Sequence, residues 1–189
     1  HIMILGAVYL KKQNKLANDT LVVTTMSNIG LHAAAKEYGI DLAITDVGDR
    51  YVIEEMKKSG HNLGGEQSGH MIFLDYNTTG DGTLSSLIVS KIVKEEGKTL
   101  SEQSALMTTY PQVLINVEVR NEVKNKFMEN DEIRAEIERL EKLMNGTGRV
   151  LIRPSGTQPL VRVMLEGKDE GQIRELAQSL ADLIKEKLA

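Results

Sequence analysis

A chain of 189 residues without a single cysteine has no disulfides, no thiolate metal ligands and no cysteine nucleophile, which suits the cytoplasm. Its 23 Lys and Arg against 27 Asp and Glu leave a formal net charge of -4, so no basic field gathers nucleic acid or anionic lipid, and any bound anion is held locally. The hydrophobic share of 41% is ordinary for a globular protein, and no segment approaches the roughly 18 continuous apolar residues of a membrane span.

The opening "HIMILGAVYL" is apolar but short, and Lys11 and Lys12 follow at once. Without a basic residue ahead of it or a small-residue cleavage pattern behind it, it reads as the first turns of a buried helix rather than a signal peptide. So abrupt a start inside a helix pattern suggests a piece of a longer chain. "TLVVTT", residues 20–25, predicts a buried strand, then a helix capped by Ser27 and stopped at Gly39. "DLAIT", residues 41–45, predicts a second strand. "DRYVIEEMKKSG" predicts a helix with Val52, Ile53 and Met56 on one face, ending at Gly60. "HMIFLD", residues 70–75, predicts a third strand, and after "NTTGDGT" a longer helix carries Leu84, Leu87, Ile88 and Ile92 at helical spacing. Strands and helices alternating at this interval predict an α/β domain over 1–107, with an open, mostly parallel sheet.

Near Thr108 to Pro111 the grammar changes. Residues 113–120 alternate like a half-exposed strand. An amphipathic helix follows with Ile133, Ile137 and Leu140 inside and Gly146 as its stop. Two further strands, "RVLIR" and "LVRVMLEG", precede a last helix bearing Ile173, Leu176, Leu180 and Ile184. The order βαββα predicts an α+β domain over 108–189, with helices on one face of an antiparallel sheet.

Two stretches carry chemistry. In "IRPSGTQPLVRV", Arg153 and Arg162 supply charge, Ser155 and Thr157 supply hydroxyls, and Gly156 lets backbone amides approach closely. That is the inventory a phosphate dianion needs; the alternative is a hairpin turn with two solvated arginines. In "LGGEQSGHMIF", Gly64, Gly65 and Gly69 bracket Glu66, Ser68 and His70. A carboxylate that accepts from adjacent hydroxyls, beside a serine that donates and accepts, suits a polyol such as a sugar; the alternative is a glycine-rich turn with exposed polar residues. Arg50, at a helix start after a strand, is a further candidate anion contact, which a surface ion pair would explain equally. No two histidines have metal-ligand spacing, and Asp75 and Asp81 are too loosely placed for a calcium loop, so no metal site is expected here.

"GGEQSGH" is similar to the sugar-recognition loop of the α-D-phosphohexomutases, and "RPSGTQPLVRV" to their distal phosphate loop. "MSNIG", "GDRY" and "DYNTTGDG" stand in that family's order. Gln67 resembles the amino-sugar branch; the phosphomannomutase and phosphoglucomutase branches, and a non-catalytic phosphosugar-binding or protein-interaction module, are the alternatives. The resemblance implies the third and fourth of four domains, hinged near Met107 to Pro111. It implies sugar contacts from Gly65, Glu66 and Ser68, phosphate contacts from Arg153, Ser155, Gly156, Thr157 and Arg162, and His70 as a proton carrier. The implied parent activity interconverts glucosamine 6-phosphate and glucosamine 1-phosphate for cell-wall precursor synthesis. It runs through a phosphoserine, with glucosamine 1,6-bisphosphate as intermediate and activator. The family's phosphoserine loop and its Asp-Gly-Asp-x-Asp-Arg magnesium loop have no counterpart here, since "VGDR" lacks the flanking aspartates. This chain is therefore expected to bind without catalysing, its partners being a phosphosugar and the missing N-terminal domains, with a homodimer of the parent left open. Gln158 departs from the family, which usually has glutamate there.

Overall fold

The protein is described from a computed structural model over residues 1–144 and 148–188. It divides into two compact units, His1–Thr109 and Tyr110–Ala189.

In the first unit, α1 (Ile2–Lys12) is apolar nearly all round and is accordingly buried, from Met3 through Leu10 with few breaks. β1 (Thr20–Thr24) is buried at every position and pairs in parallel with both β2 (Asp41–Thr45) and β3 (Leu63–Gly65). β4 (Met71–Phe73) returns antiparallel beside β3, giving the order β2-β1-β3-β4. Side chains alternate across β1. Leu21 and Val23 join a large cluster with α1 and α2 (Ile29–Glu37), whereas Val22 joins Val52 and Met56 of α3 (Asp49–Ser59) on the other face. Both faces of the sheet are thus covered, the condition under which parallel strands are stable.

Local details depart from the sequence expectation for physical reasons. The cap of α2 is Asn28, whose side chain accepts from Gly30 N–H at 3.0 Å, rather than Ser27. Ser27 N–H closes a turn on Thr24 O at 3.0 Å, which delays the helix start by one residue. The third expected strand shortens to β4 because Tyr76 and Asn77 N–H both turn back onto Phe73 O. In α4 (Gly82–Glu96) the inward stripe runs through Ser85, Ile88, Val89 and Ile92, leaving Leu87 64% exposed. A short α5 (Leu100–Ser104) follows, started by a reciprocal capping box between Thr99 and Glu102.

Gly64 and Gly65 serve the sheet rather than a turn. A Cβ on Gly64 would lie 2.7 Å from Met56 Sδ and from Val52 Cγ1, both on fully buried side chains of α3. Gly64→Ala is expected to destabilise by about 1–3 kcal/mol, because valine is stiff at χ1 and the core is overfilled. Urea unfolding measures it; an unchanged midpoint would show that α3 gives way freely.

The second unit contains β5 (Gln112–Glu118), α6 (Asp131–Leu143), β6 (Gly148–Pro154), β7 (Leu160–Gly167) and α7 (Glu170–Leu188), the βαββα order expected. The sheet is antiparallel in the order β5-β7-β6. Val161, Val163 and Leu165 of the central strand are fully buried in one cluster with Ile133, Ile137 and Leu140 of α6 and Ile173, Leu180 and Ile184 of α7. Period-2 alternation sends Leu160, Arg162, Met164 and Glu166 to the opposite face. There Glu166 accepts from Arg149 and from Gln112 Nε2. The helix stop expected at Gly146 lies outside the described residues.

Candidate functional site

In an open α/β sheet, ligands meet the loops that follow the carboxyl ends of the parallel strands. In the first unit those loops run over residues 25–28, 46–50 and 66–70. Glu66 organises them. Its side chain is 10% exposed, and its Oε1 accepts from Gly48 N–H at 2.9 Å. Gly48 has φ 139, a conformation closed to most side chains, so glycine is required where the second loop turns toward the third. Glu66 Oε2 lies 3.5 Å from Ser68 Oγ and 3.7 Å from His70 Nδ1, and Ser68 Oγ lies 3.0 Å from His70 Nδ1. Glu66, Ser68 and His70 therefore form one polar chain, fixed at Glu66 and open at Ser68 and His70. Gly69, at φ 104, is the glycine the turn itself requires.

A cavity of about 300 Å³ adjoins this loop, with Asn28, Leu31, Glu66, Gln67, Gly69 and Met71 in its wall. A shallower one of about 390 Å³ lies at Ser68, His70, Gly80, Asp81 and Gly82. Gly65 is buried inside β3, where a Cβ would stand 2.8 Å from His70 O; its part is to let β4 come close. The Arg50 guanidinium is stacked 4.5 Å over the Tyr51 ring and donates to Tyr51 Oη at 2.9 Å. Among the described residues it has no ion pair, so it is held by a ring while its charge stays available.

In the second unit, β6 and β7 join through residues 155–159. Arg153 and Arg162 stand directly opposite each other in the antiparallel register, and Asn116 extends the row on the other side of Arg162. Facing like charges are unfavourable in a sheet. Both Nε atoms are buried without a hydrogen-bond partner, and neither guanidinium has an ion pair among the described residues. Burial first, then the neighbouring Arg162 charge, hold the Arg153 guanidinium below its ordinary pKa. The sheet thus keeps two uncompensated cations side by side, an arrangement that an anion would relieve.

Ser155 is only 3% exposed; its N–H donates to Leu160 O at 2.9 Å and its Oγ accepts from Gln158 N–H at 3.2 Å. Its hydroxyl therefore shapes the turn. Gly156 has open space where a Cβ would stand, and Thr157 is exposed. Sequence reasoning missed Lys124, whose Nζ donates to Ser155 O at 2.7 Å and Gln158 O at 3.3 Å. It missed Gly48 as well. Both act through contacts distant in sequence, and no local pattern marks them.

Among the described residues no group of three or more His, Cys, Asp or Glu is placed to hold a metal ion, and no helix is long and apolar enough to cross a membrane. An α/β/α unit followed by an α+β unit, the one with a carboxylate–hydroxyl loop and the other with paired arginines, is the outline of phosphohexomutase domains. Residues 1–110 match the phosphoglucomutase/phosphomannomutase alpha/beta/alpha domain III, and residues 114–183 match the C-terminal domain of the same family. The chain belongs to that family, in keeping with the resemblance its motifs carry.

Within the family it is 69% identical over 189 residues to phosphoglucosamine mutase of Clostridioides difficile, and 61% identical over 188 residues to that of a Thermoanaerobacter species. It spans 42% of the length of each. Its fold is shared with Aspergillus fumigatus N-acetylphosphoglucosamine mutase, solved in complex with GlcNAc-6P and magnesium. The TM-score is 0.81 at 21% identity, over 100% of this chain and 43% of that one.

Proposed function

We propose that this chain is the substrate-holding C-terminal part of an enzyme that interconverts glucosamine 6-phosphate and glucosamine 1-phosphate. The observation that carries the reading is the cross-strand pair Arg153–Arg162, with both Nε atoms buried and unpartnered beside a short loop of small and hydroxyl residues. Two guanidiniums grip a phosphate dianion through charge-assisted hydrogen bonds, and positioning is most of what phosphoryl transfer asks of a protein. Ser155, Gly156 and Thr157 complete the phosphate contacts. Glu66 and Ser68 take the sugar hydroxyls common to both orientations of the substrate, with His70 positioned to carry a proton through Ser68. The high identity to phosphoglucosamine mutases supports an amino sugar over a plain hexose. The phosphoserine and the magnesium ion of such an enzyme belong to its remaining length. The residues described here do not fit a magnesium site, and no step of this reading runs through one.

Titration of the 15N-labelled chain with glucosamine 6-phosphate tests this. Amide shifts are expected at Ser155 to Thr157 and at Gly65 to Gly69. Silence at both loops would remove the binding role, and turnover by this chain alone would overturn the division of labour.

Gln158 sharpens the reading. Its backbone is engaged by Ser155 and Lys124 while its side chain is exposed, so Gln158→Glu adds a negative charge without altering the turn. Phosphate binding is expected to weaken by at most about fivefold, the size of an exposed charge effect of about 0.2–1 kcal/mol. Tighter binding by the glutamate form in calorimetry would count against it.

A further inference from the structure

The loop between β6 and β7 shows an asymmetry that the reading above does not use. A turn carries carbonyl oxygens as well as N–H groups, and a carbonyl facing a phosphate oxygen repels it. Here Ser155 O and Gln158 O accept from Lys124 Nζ at 2.7 and 3.3 Å, and Pro159 O accepts from Val119 N–H at 3.1 Å. The N–H groups of Gly156 and Thr157, by contrast, make no hydrogen bond among the described residues. The acceptors flanking the loop's centre, Ser155 O, Gln158 O and Pro159 O, are occupied, Gln158 O by Leu160 N–H at 2.9 Å as well as by Lys124, while the donors at its centre are open.

Lys124 is built to hold this arrangement. It is half-buried, in a stretch anchored by Val123 against the core and by buried Phe127. Its own N–H and that of Val123 turn back onto Arg120 O at 3.2 and 3.1 Å. An ammonium offers three donors and no acceptor, so it can engage two carbonyls while contributing a positive charge to the loop. No carboxylate pairs with it among the described residues.

We infer that Lys124 is a positioning residue for the phosphate: by fixing the Ser155 and Gln158 carbonyls it keeps the Gly156 and Thr157 amides free to donate. The inference rests on the reading of this loop as the phosphate site. Calorimetry of the 189-residue chain with inorganic phosphate and with glucosamine 6-phosphate tests it, alongside amide exchange at residues 156–158. Lys124→Met is expected to weaken both ligands roughly tenfold and to speed exchange of the Gln158 N–H, the loop amide held by Ser155 Oγ. Lys124→Arg, which can also reach two carbonyls, is expected to restore binding to within about threefold. Binding by Lys124→Met within about twofold of the unaltered chain would overturn the inference and leave the phosphate site standing. Failure of the unaltered chain to bind either ligand would instead remove the site itself, and the inference with it. Should Lys124→Met not fold, Lys124→Gln keeps a neutral NH₂ on a shorter stem and loses the positive charge, and a loss beyond about threefold is expected of it; binding equal to the unaltered chain overturns the inference in the same way.

Discussion

Arg162→Met is expected to bind glucosamine 6-phosphate roughly 10- to 100-fold more weakly than the unaltered chain, yet to unfold at the same or a higher urea concentration. The first half follows from the hydrogen bonds a guanidinium makes to a phosphate, each worth about 1.5–3 kcal/mol when one partner is charged. The second half runs against the usual expectation for a half-buried strand residue. Arg162 faces Arg153 across the sheet, and among the described residues neither Nε atom has a hydrogen-bond partner and no ion pair neutralises the two like charges. Removing one charge relieves about 0.2–1 kcal/mol of cross-strand repulsion. Methionine retains most of the apolar stem between Leu160 and Met164 on the same face. Calorimetry and urea unfolding on one preparation check both halves. A variant that keeps its affinity, or that loses more than about 1 kcal/mol of stability, would show that the arginines hold the sheet together rather than wait for an anion.

Why so much of this was legible follows from where each signal resides. β1 is a β-branched run buried at every position, and the stripes of α6 and α7 repeat at helical spacing, so local pattern and tertiary burial agree. The pairing of Arg153 with Arg162 was readable because both fall within one hairpin, which brings them opposite each other. β3 is different. It has three residues, two of them glycine, and its strand character comes from packing beneath α3 rather than from propensity. The reason for Gly64 accordingly lies in Val52 and Met56, not in the turn beside it. Lys124 and Gly48 escaped for the same cause: each acts through hydrogen bonds to a loop that is remote in the chain. The slip from Ser27 to Asn28 is of another kind, since two good capping residues stand side by side and only the Thr24 turn chooses between them.

Glu66→Gln is expected to weaken binding of the phosphosugar while leaving binding of inorganic phosphate intact. Glu66 meets two demands at once: Oε1 accepts from Gly48 N–H, while Oε2 is the acceptor facing Ser68 and His70. A carboxylate has acceptors on both sides, whereas a carboxamide has an acceptor on one and donors on the other. If the amide oxygen keeps Gly48, the NH₂ faces Ser68, His70 and the incoming hydroxyls, and an acceptor has become a donor. If the amide is turned over, its NH₂ confronts Gly48 N–H, and the loop over 46–50 loses its tie at a cost of about 1 kcal/mol. Neither orientation serves both partners. Glucosamine 6-phosphate should therefore bind roughly 10- to 100-fold more weakly, as when a hydrogen bond to a charged acceptor is lost, while the affinity for inorganic phosphate stays unchanged. The two ligands separate the sites. Arg162→Met loses both and Glu66→Gln loses only the sugar. A Glu66→Gln chain that binds inorganic phosphate as poorly as the phosphosugar would mean that the carboxylate shapes the protein generally. One that binds the phosphosugar normally would mean that the hydroxyls are recognised elsewhere.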